Sequence, residues 1–176
     1  TITIPQTLSN GTYAVNVTYV GDNKYNKINN QKTIKISKVE TQFVVSVNDI
    51  NVGDDLVVFV SGLPNDATGQ INVLINGISN TSAINNGAST TIIHQRLANG
   101  TYIAVVTYSG DDKYNSLKES KSVKISKITP NMNVVVKDKI NVGDVLVIDV
   151  SGLPNVTAVK YVEVIGDLVD RGLINQ

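Results

Sequence analysis

Residues 100–127 read GTYIAVVTYSGDDKYNSLKESKSVKISK, and this stretch decides the fold. Tyr102, Ala104, Val106 and Tyr108 recur at every second position, so a strand places them on one face, toward a core, with Thr101 and Thr107 on the other. Gly110 and Asp111 then supply turn residues, and a second β-rich run over 120–125 completes a hairpin whose end Tyr114 can fold over.

The same text occurs about 89 residues earlier, where residues 11–38 read GTYAVNVTYVGDNKYNKINNQKTIKISK with more than half of the paired positions identical. A second pair of blocks, INVGDDLVVFVSGLPN at 50–65 and INVGDVLVIDVSGLPN at 140–155, repeats at about 90, which places a one-residue slip between Lys38 and Phe43. The unit is therefore about 90 residues, an ordinary domain size. In this frame residues 1–38 form the C-terminal half of a repeat, 39–127 a complete repeat, and 128–176 the N-terminal half of another. The two terminal halves add up to nearly one unit.

Within 39–127, short runs of Val, Ile, Thr and Tyr alternate with Gly, Asn, Asp and Pro, and no window carries a 3.6-residue apolar period. The spacing predicts strands over 42–47, 56–60, 71–75, 79–84, 90–94, 102–108 and 120–125. Seven short strands predict an all-β fold of tandem immunoglobulin-like Greek-key sandwiches. Gly62, Pro64 and Asn65 stop the second of them, because Pro has no N–H for a ladder and Gly and Asn accept turn dihedrals. LSNGTY at 8–13 and LANGTY at 97–102 match the tyrosine-corner pattern, which predicts that the phenols of Tyr13 and Tyr102 bond back to upstream backbone.

The GTYxxxVTYxGDxKYN pattern with a Lys- and Ile-bearing last strand resembles the bacterial Ig-like repeats of large surface proteins. It is similar also to the arrays in adhesin-like proteins of methanogenic archaea. The resemblance covers nearly the whole chain, although DLVDRGLINQ at 167–176 departs from the matching ISNTSAINNG at 78–87. It implies a secreted, anchored, extracellular protein at the cell surface, whose repeats hold a distal domain away from the cell.

Composition narrows the chemistry. The 176 residues carry 15 basic and 15 acidic side chains, so there is no basic footprint for nucleic acid. The absence of Cys excludes disulfides, thiolate catalysis and Cys-built zinc sites, and a single His, His94, leaves no imidazole pair. No apolar run approaches the roughly 20 residues of a membrane-spanning helix. No Ser, His and Asp arrangement recurs in both copies, so no catalytic residue and no enzyme activity is expected.

Three modifications or ligands are weighed. Asp22, Asp111 and Asp112 lie on hairpin loops and Asp54, Asp55 and Asp144 on turns near the opposite end of a repeat, so a junction between domains offers oxygen ligands to calcium. The plainer reading is that each Asp makes an Asx turn, so no resident cofactor is expected. Asn10, Asn16, Asn80, Asn99 and Asn155 satisfy the Asn-x-Ser/Thr rule for glycosylation, a mild excess over chance in so Asn-rich a chain. An intramolecular isopeptide bond is disfavoured, since the first strand of the complete unit has no Lys and its last strand no Asn.

Lys32, Lys35, Lys38, Lys121, Lys124 and Lys127 recur on the final strand and the linker, where Lys guards an edge strand against aggregation. No Gly- or Ser-rich stretch separates one repeat from the next, so consecutive domains are expected to form a semi-rigid rod. The leading expectation is a structural repeat of an adhesin, stalk or surface filament, its partners being neighbouring Ig-like repeats in the same or adjacent chains and a host or cell-surface ligand that the sequence does not specify. Two alternatives stand beside it: a self-assembling subunit whose half-domains complement one another between chains, and a carbohydrate- or protein-binding module using loops near 76–86. The last is poorly served by a chain without Trp.

Overall fold

A computed structural model describes residues 1–5, 7–94 and 97–154 with their side chains, and the backbone of 159–165 and 168–174. The fold is all-β, with no helix among the described residues. The chain divides into two compact units, 1–127 and 128–176.

The first unit opens with a hairpin of β1 (Gly11–Tyr19) and β2 (Ile28–Ile36). There follow β3 (Val44–Val47), β4 (Ile50–Asn51), β5 (Leu56–Ser61), β6 (Gln70–Ile75), β7 (Ile78–Ala83), β8 (Ser89–Ile93), β9 (Gly100–Tyr108) and β10 (Leu117–Ser126). These make two sheets, a three-stranded one in the order β3-β5-β8 and a five-stranded one in the order β4-β10-β9-β6-β7. All ladders are antiparallel except β4–β10, where Ile50 and Asn51 run parallel to Ile125 and Ser126. The seven expected strands are present within a few residues of their expected bounds. The two-residue β4 was not expected, since so short a strand leaves no periodic signal.

Alternation along each strand builds a β-sandwich-like core. Leu56, Val58 and Val60 of β5 are buried while Val57 and Phe59 face out; opposite them lie Ile71, Val73 and Ile75 of β6 and Ala104, Val106 and Tyr108 of β9. Val123 and Ile125 of β10 close the cluster. Each buried aliphatic side chain of this size contributes roughly 1.5–3 kcal/mol relative to exposure. Where β7 and β8 meet, the buried hydroxyls of Ser89 and Thr91 bond to Ser82, and Ser89 also donates to the Ala83 carbonyl at 2.9 Å, so this polar corner is satisfied. The β6–β7 hairpin turns through Asn76 and Gly77, both at positive φ (47° and 79°), the Asn-Gly geometry that matches strand twist.

The second unit contains hairpins of β11 (Asn133–Val136) with β12 (Ile148–Ser151) and of β13 (Val159–Ile165) with β14 (Leu168–Ile174). Ile165 pairs with Leu168 as Ile75 pairs with Ile78, so β13–β14 keeps the register of β6–β7 despite the divergent tail sequence. The β11–β12 ladder corrects the expected position of the slip. Val134 pairs with Val150 as Val45 pairs with Val60, which aligns β11 with β3 at the spacing of 89 that separates residues 11–38 from 100–127, and β12 with β5 at 90, and so moves the extra residue into the turn before Ile140. The physical reason is that a slip inside the strand would turn its apolar set to the wrong face, whereas a turn absorbs one residue at little cost.

Candidate functional site

The best-built polar site is the loop that joins β9 to β10. Gly110 starts it at φ 72°, and a Cβ there would lie 2.7 Å from the Ser116 nitrogen, so the tight return of the chain requires Gly. Asp111 then organises the turn. Its Oδ1 accepts the backbone N–H groups of Lys113 (2.8 Å) and Tyr114 (2.7 Å), and its Oδ2 accepts the Thr68 N–H (2.8 Å), the Thr68 hydroxyl (3.2 Å) and the Tyr108 hydroxyl (3.1 Å).

These bonds set the local electrostatics. Burial by itself would raise the Asp111 carboxyl, but the amides of Thr68, Tyr114 and Lys113 together with the Tyr108 hydroxyl outweigh it and hold the group well below the usual carboxylate range. Tyr108 is pushed up to about 12, first by burial and then by its bond to Asp111. Beside it, the Asp66 carboxylate takes the Lys113 ammonium on one oxygen and the Tyr114 hydroxyl on the other, each at 2.6 Å. Those two bonds, Lys113 first, lower the Asp66 carboxyl, while the bond to Asp66, followed by the neighbouring Tyr114 hydroxyl, raises the Lys113 ammonium above its ordinary value.

The loop grips the segment that enters the domain. The Val39 N–H donates to the Lys113 carbonyl at 2.7 Å, and the Val39 carbonyl accepts the Asn115 N–H at 3.0 Å. The Lys38 ammonium donates to the Asp111 carbonyl, and the Asn115 amide donates to Glu40 Oε1 at 2.7 Å. A crevice lies between the corner preceding β1 (Leu8, Ser9, Asn10), the end of β2 and its linker (Ser37, Lys38), and Asp112 and Lys113 of the loop. A matching crevice is present at the other end of β10, lined by Asn99, Gly100, Ser126 and Lys127.

The same chemistry recurs on the β1–β2 hairpin. Asp22 accepts the N–H groups of Lys24 and Tyr25, both at 2.8 Å, and the Tyr19 hydroxyl at 2.7 Å. The Tyr19 bond, followed by the two amides, lowers the Asp22 carboxyl. At the opposite end of each hairpin the Tyr13 hydroxyl donates to the Ser9 carbonyl (3.0 Å) and the Tyr102 hydroxyl to the Ala98 carbonyl (3.1 Å), four residues upstream in both copies.

The other residues singled out from the sequence fall as follows. Asp54 and Asp144 each accept a backbone N–H, from Asn51 (3.0 Å) and Asn141 (2.8 Å), and donate their own N–H to the carbonyl of the same residue, so each carboxylate reaches back across a four-residue β-turn rather than forming the expected Asx turn. Asp55 faces His94, Oδ2 to Nδ1 at 3.0 Å, on an exposed surface. Asp112 lines the first crevice. Asp54 and Asp111 are held at opposite ends of β10, whose first residue pairs with Tyr108 and whose last pair with β4. Among the described residues no group of three or more His, Asp or Glu side chains lies close enough together to hold a metal ion.

Asn10 and Asn99 sit in corners that line the two crevices, and Asn16 is exposed in the middle of β1. Asn80 uses its amide to donate to the Ile92 carbonyl at 2.8 Å, and Asn155 lies outside the described residues. Lys121 and Lys124 are exposed on β10, whose outer edge is covered by β4 only at Ile125 and Ser126; nearby the Asp49 carboxylate accepts the Lys124 N–H at 2.8 Å.

Sequence reasoning missed Asp66, Thr68, Glu40 and the role of Asn115. Asp66 has no acidic counterpart at Val156, so a search for recurring residues passes over it, whereas Asn115 recurs at Asn26 within the KYN signature and was open to notice. No protein-family model and no curated protein matches the chain. Its own repeats are therefore its nearest internal comparison.

Proposed function

We propose that this chain is a non-catalytic structural stretch of an extracellular, cell-surface adhesin or stalk, in which tandem immunoglobulin-like Greek-key sandwiches act as spacers. The sheet orders β3-β5-β8 and β4-β10-β9-β6-β7, the parallel β4–β10 pair and the i−4 tyrosine bonds support the immunoglobulin-like assignment for 39–127. The recurring polar residues serve turns and linker contacts, which favours display and spacing over catalysis.

One observation carries this reading. The entering linker forms two backbone hydrogen bonds, through Val39, with the β9–β10 loop of its own domain, so there is no slack between the end of one repeat and the start of the next. A flexible tether would need free Gly- or Ser-rich residues there. Small-angle scattering from a polypeptide of several consecutive copies of residues 39–127 tests the proposal: a rod-like profile is expected, and a freely hinged or collapsed particle would contradict it.

A further inference from the structure

Residues 39–51 run beside residues 114–126 in one parallel register, although the middle of the entering segment leaves that sheet. The bridge of Val39 to Tyr114 and the pairing of Ile50 with Ile125 share an offset of 75. Two side-chain bonds keep the same offset: the Asn115 amide donates to Glu40 at 2.7 Å, and the Lys124 N–H to the Asp49 carboxylate at 2.8 Å. At the far end the Val52 N–H donates to the Ser126 carbonyl at 2.9 Å. Between these contacts the segment crosses to the other sheet as β3, pairs with β5, and puts Phe43 and Val45 into the core.

The chain enters the domain at one end of this pairing and leaves it at the other. Val39 lies beside Tyr114, and β10 ends at Ser126, roughly 40 Å further along an extended chain. Tension between residues 38 and 127 therefore draws the two segments past one another along their length. Ladder hydrogen bonds run from strand to strand, so they are loaded sideways and all together. Sliding would also drag β3 past β5 and pull Phe43 and Val45 out of the core. A pairing pulled from two adjacent ends behaves differently, because its bonds break one after another. The β1–β2 hairpin is of that kind: Gly11 is paired with Ile36, so tension along the chain peels it open from there.

We propose that the pairing of residues 39–51 with 114–126 is a load-bearing clamp, which makes the 39–127 domain resist tension along the chain and yield to force that peels the same contacts apart. The inference rests on the spacer reading and deepens it, since a spacer at a surface is useful only up to the pull it survives. The placing of the charged groups suits this role. Glu40 and Asp49 stand where the segment leaves and rejoins the β10 sheet, so their carboxylates extend the pairing toward the crossover from both sides. The Lys38 ammonium adds a bond to the Asp111 carbonyl at the entry. Hydrogen bonds with a charged partner are stronger than neutral ones.

The test is single-molecule pulling of the 176-residue chain in two geometries. In one the handles are at the two termini. In the other they are at the N-terminus and on Asp112→Cys, an exposed loop position in a chain without native Cys, so that the Val39 bridge is loaded from adjacent ends. Between the termini, the 39–127 domain is expected to give way in one sharp event that releases roughly 300 Å of chain. Its force should be several-fold above that in the Asp112 geometry.

Two variants separate a clamp from plain stability. Val73→Ala leaves a gap in the core away from the pairing, and should cost more in urea unfolding than Asp49→Ala, which removes one acceptor. Asp49→Ala is nevertheless expected to lower the end-to-end force more. Equal forces in the two geometries, or force losses that follow the urea losses, overturn the proposal. Either result leaves a rod-like scattering profile, and with it the spacer reading, untouched; a hinged profile would sink that reading and leave the force comparison in place.

Discussion

The ammonium of Lys38 donates to the backbone carbonyl of Asp111, joining the last residue of one repeat to the loop that caps the next. The donor is charged and the acceptor is a main-chain group, so the bond fixes the linker without demanding a particular side chain on the loop. Removal of the ammonium should loosen the linker more than it weakens either domain. For Lys38→Met the free energy of opening the 37–40 segment is expected to fall by about 1 kcal/mol. Cleavage after Glu40 by a glutamate-specific protease should then run several-fold faster, with the thermal midpoint of the core unchanged.

Asp111 is expected to be the most sensitive polar position of the 39–127 domain. Asp111→Asn leaves one acceptor oxygen for a network that uses two, and should cost about 2–3 kcal/mol in urea unfolding at neutral pH. The pH dependence has a definite sign. The folded carboxyl lies below its unfolded value of about 4, so its contribution is complete above that value and is lost as the pH falls through the folded one. The parent should lose stability on acidification below about pH 4, and Asp111→Asn should lose less. At the alkaline side Tyr108 is raised, so its contribution is present below its unfolded value of about 10 and is lost as pH rises through about 12.

The two tyrosine corners make a matched pair of controls. Tyr102→Phe removes the bond to Ala98 from a domain with a closed core and should lower its stability by about 1 kcal/mol. Tyr13→Phe removes the same bond from the β1–β2 hairpin, which lies outside the buried core of 39–127, and the main unfolding transition of this chain should not move.

Calcium is expected to leave the thermal midpoint of the chain unchanged. Asp22 and Asp111 have both carboxylate oxygens engaged by internal donors, and Asp54 and Asp144 each accept an N–H from their own turn. Binding an ion would have to break these bonds. A midpoint that rises with millimolar calcium and falls back with chelator would show that the junction opens to admit it.

Much of this was legible in the residues. The two-residue period of Tyr102 to Tyr108 gives the core face of β9, and the repeated Gly-Asp-x-Lys-Tyr block gives the turn, because both are local patterns imposed by strand geometry and left-handed dihedrals. What stayed hidden is non-local. Thr68 and Asp66 reach the β9–β10 loop across more than forty positions, and nothing in their neighbourhood of sequence announces it. The place of the extra residue in the third copy was likewise hidden. It is set by the pairing of Val134 with Val150, and a register is a property of two strands that neither sequence displays alone.

The central claim is that the linker is part of the folded domain. Amide hydrogen exchange of the 176-residue chain addresses it residue by residue. The account predicts that the Val39 and Asn115 amides, which bond to the Lys113 and Val39 carbonyls, exchange as slowly as those in the β9–β10 ladder. Exchange of both at the rate of an open loop, while β9 and β10 stay protected, would contradict it.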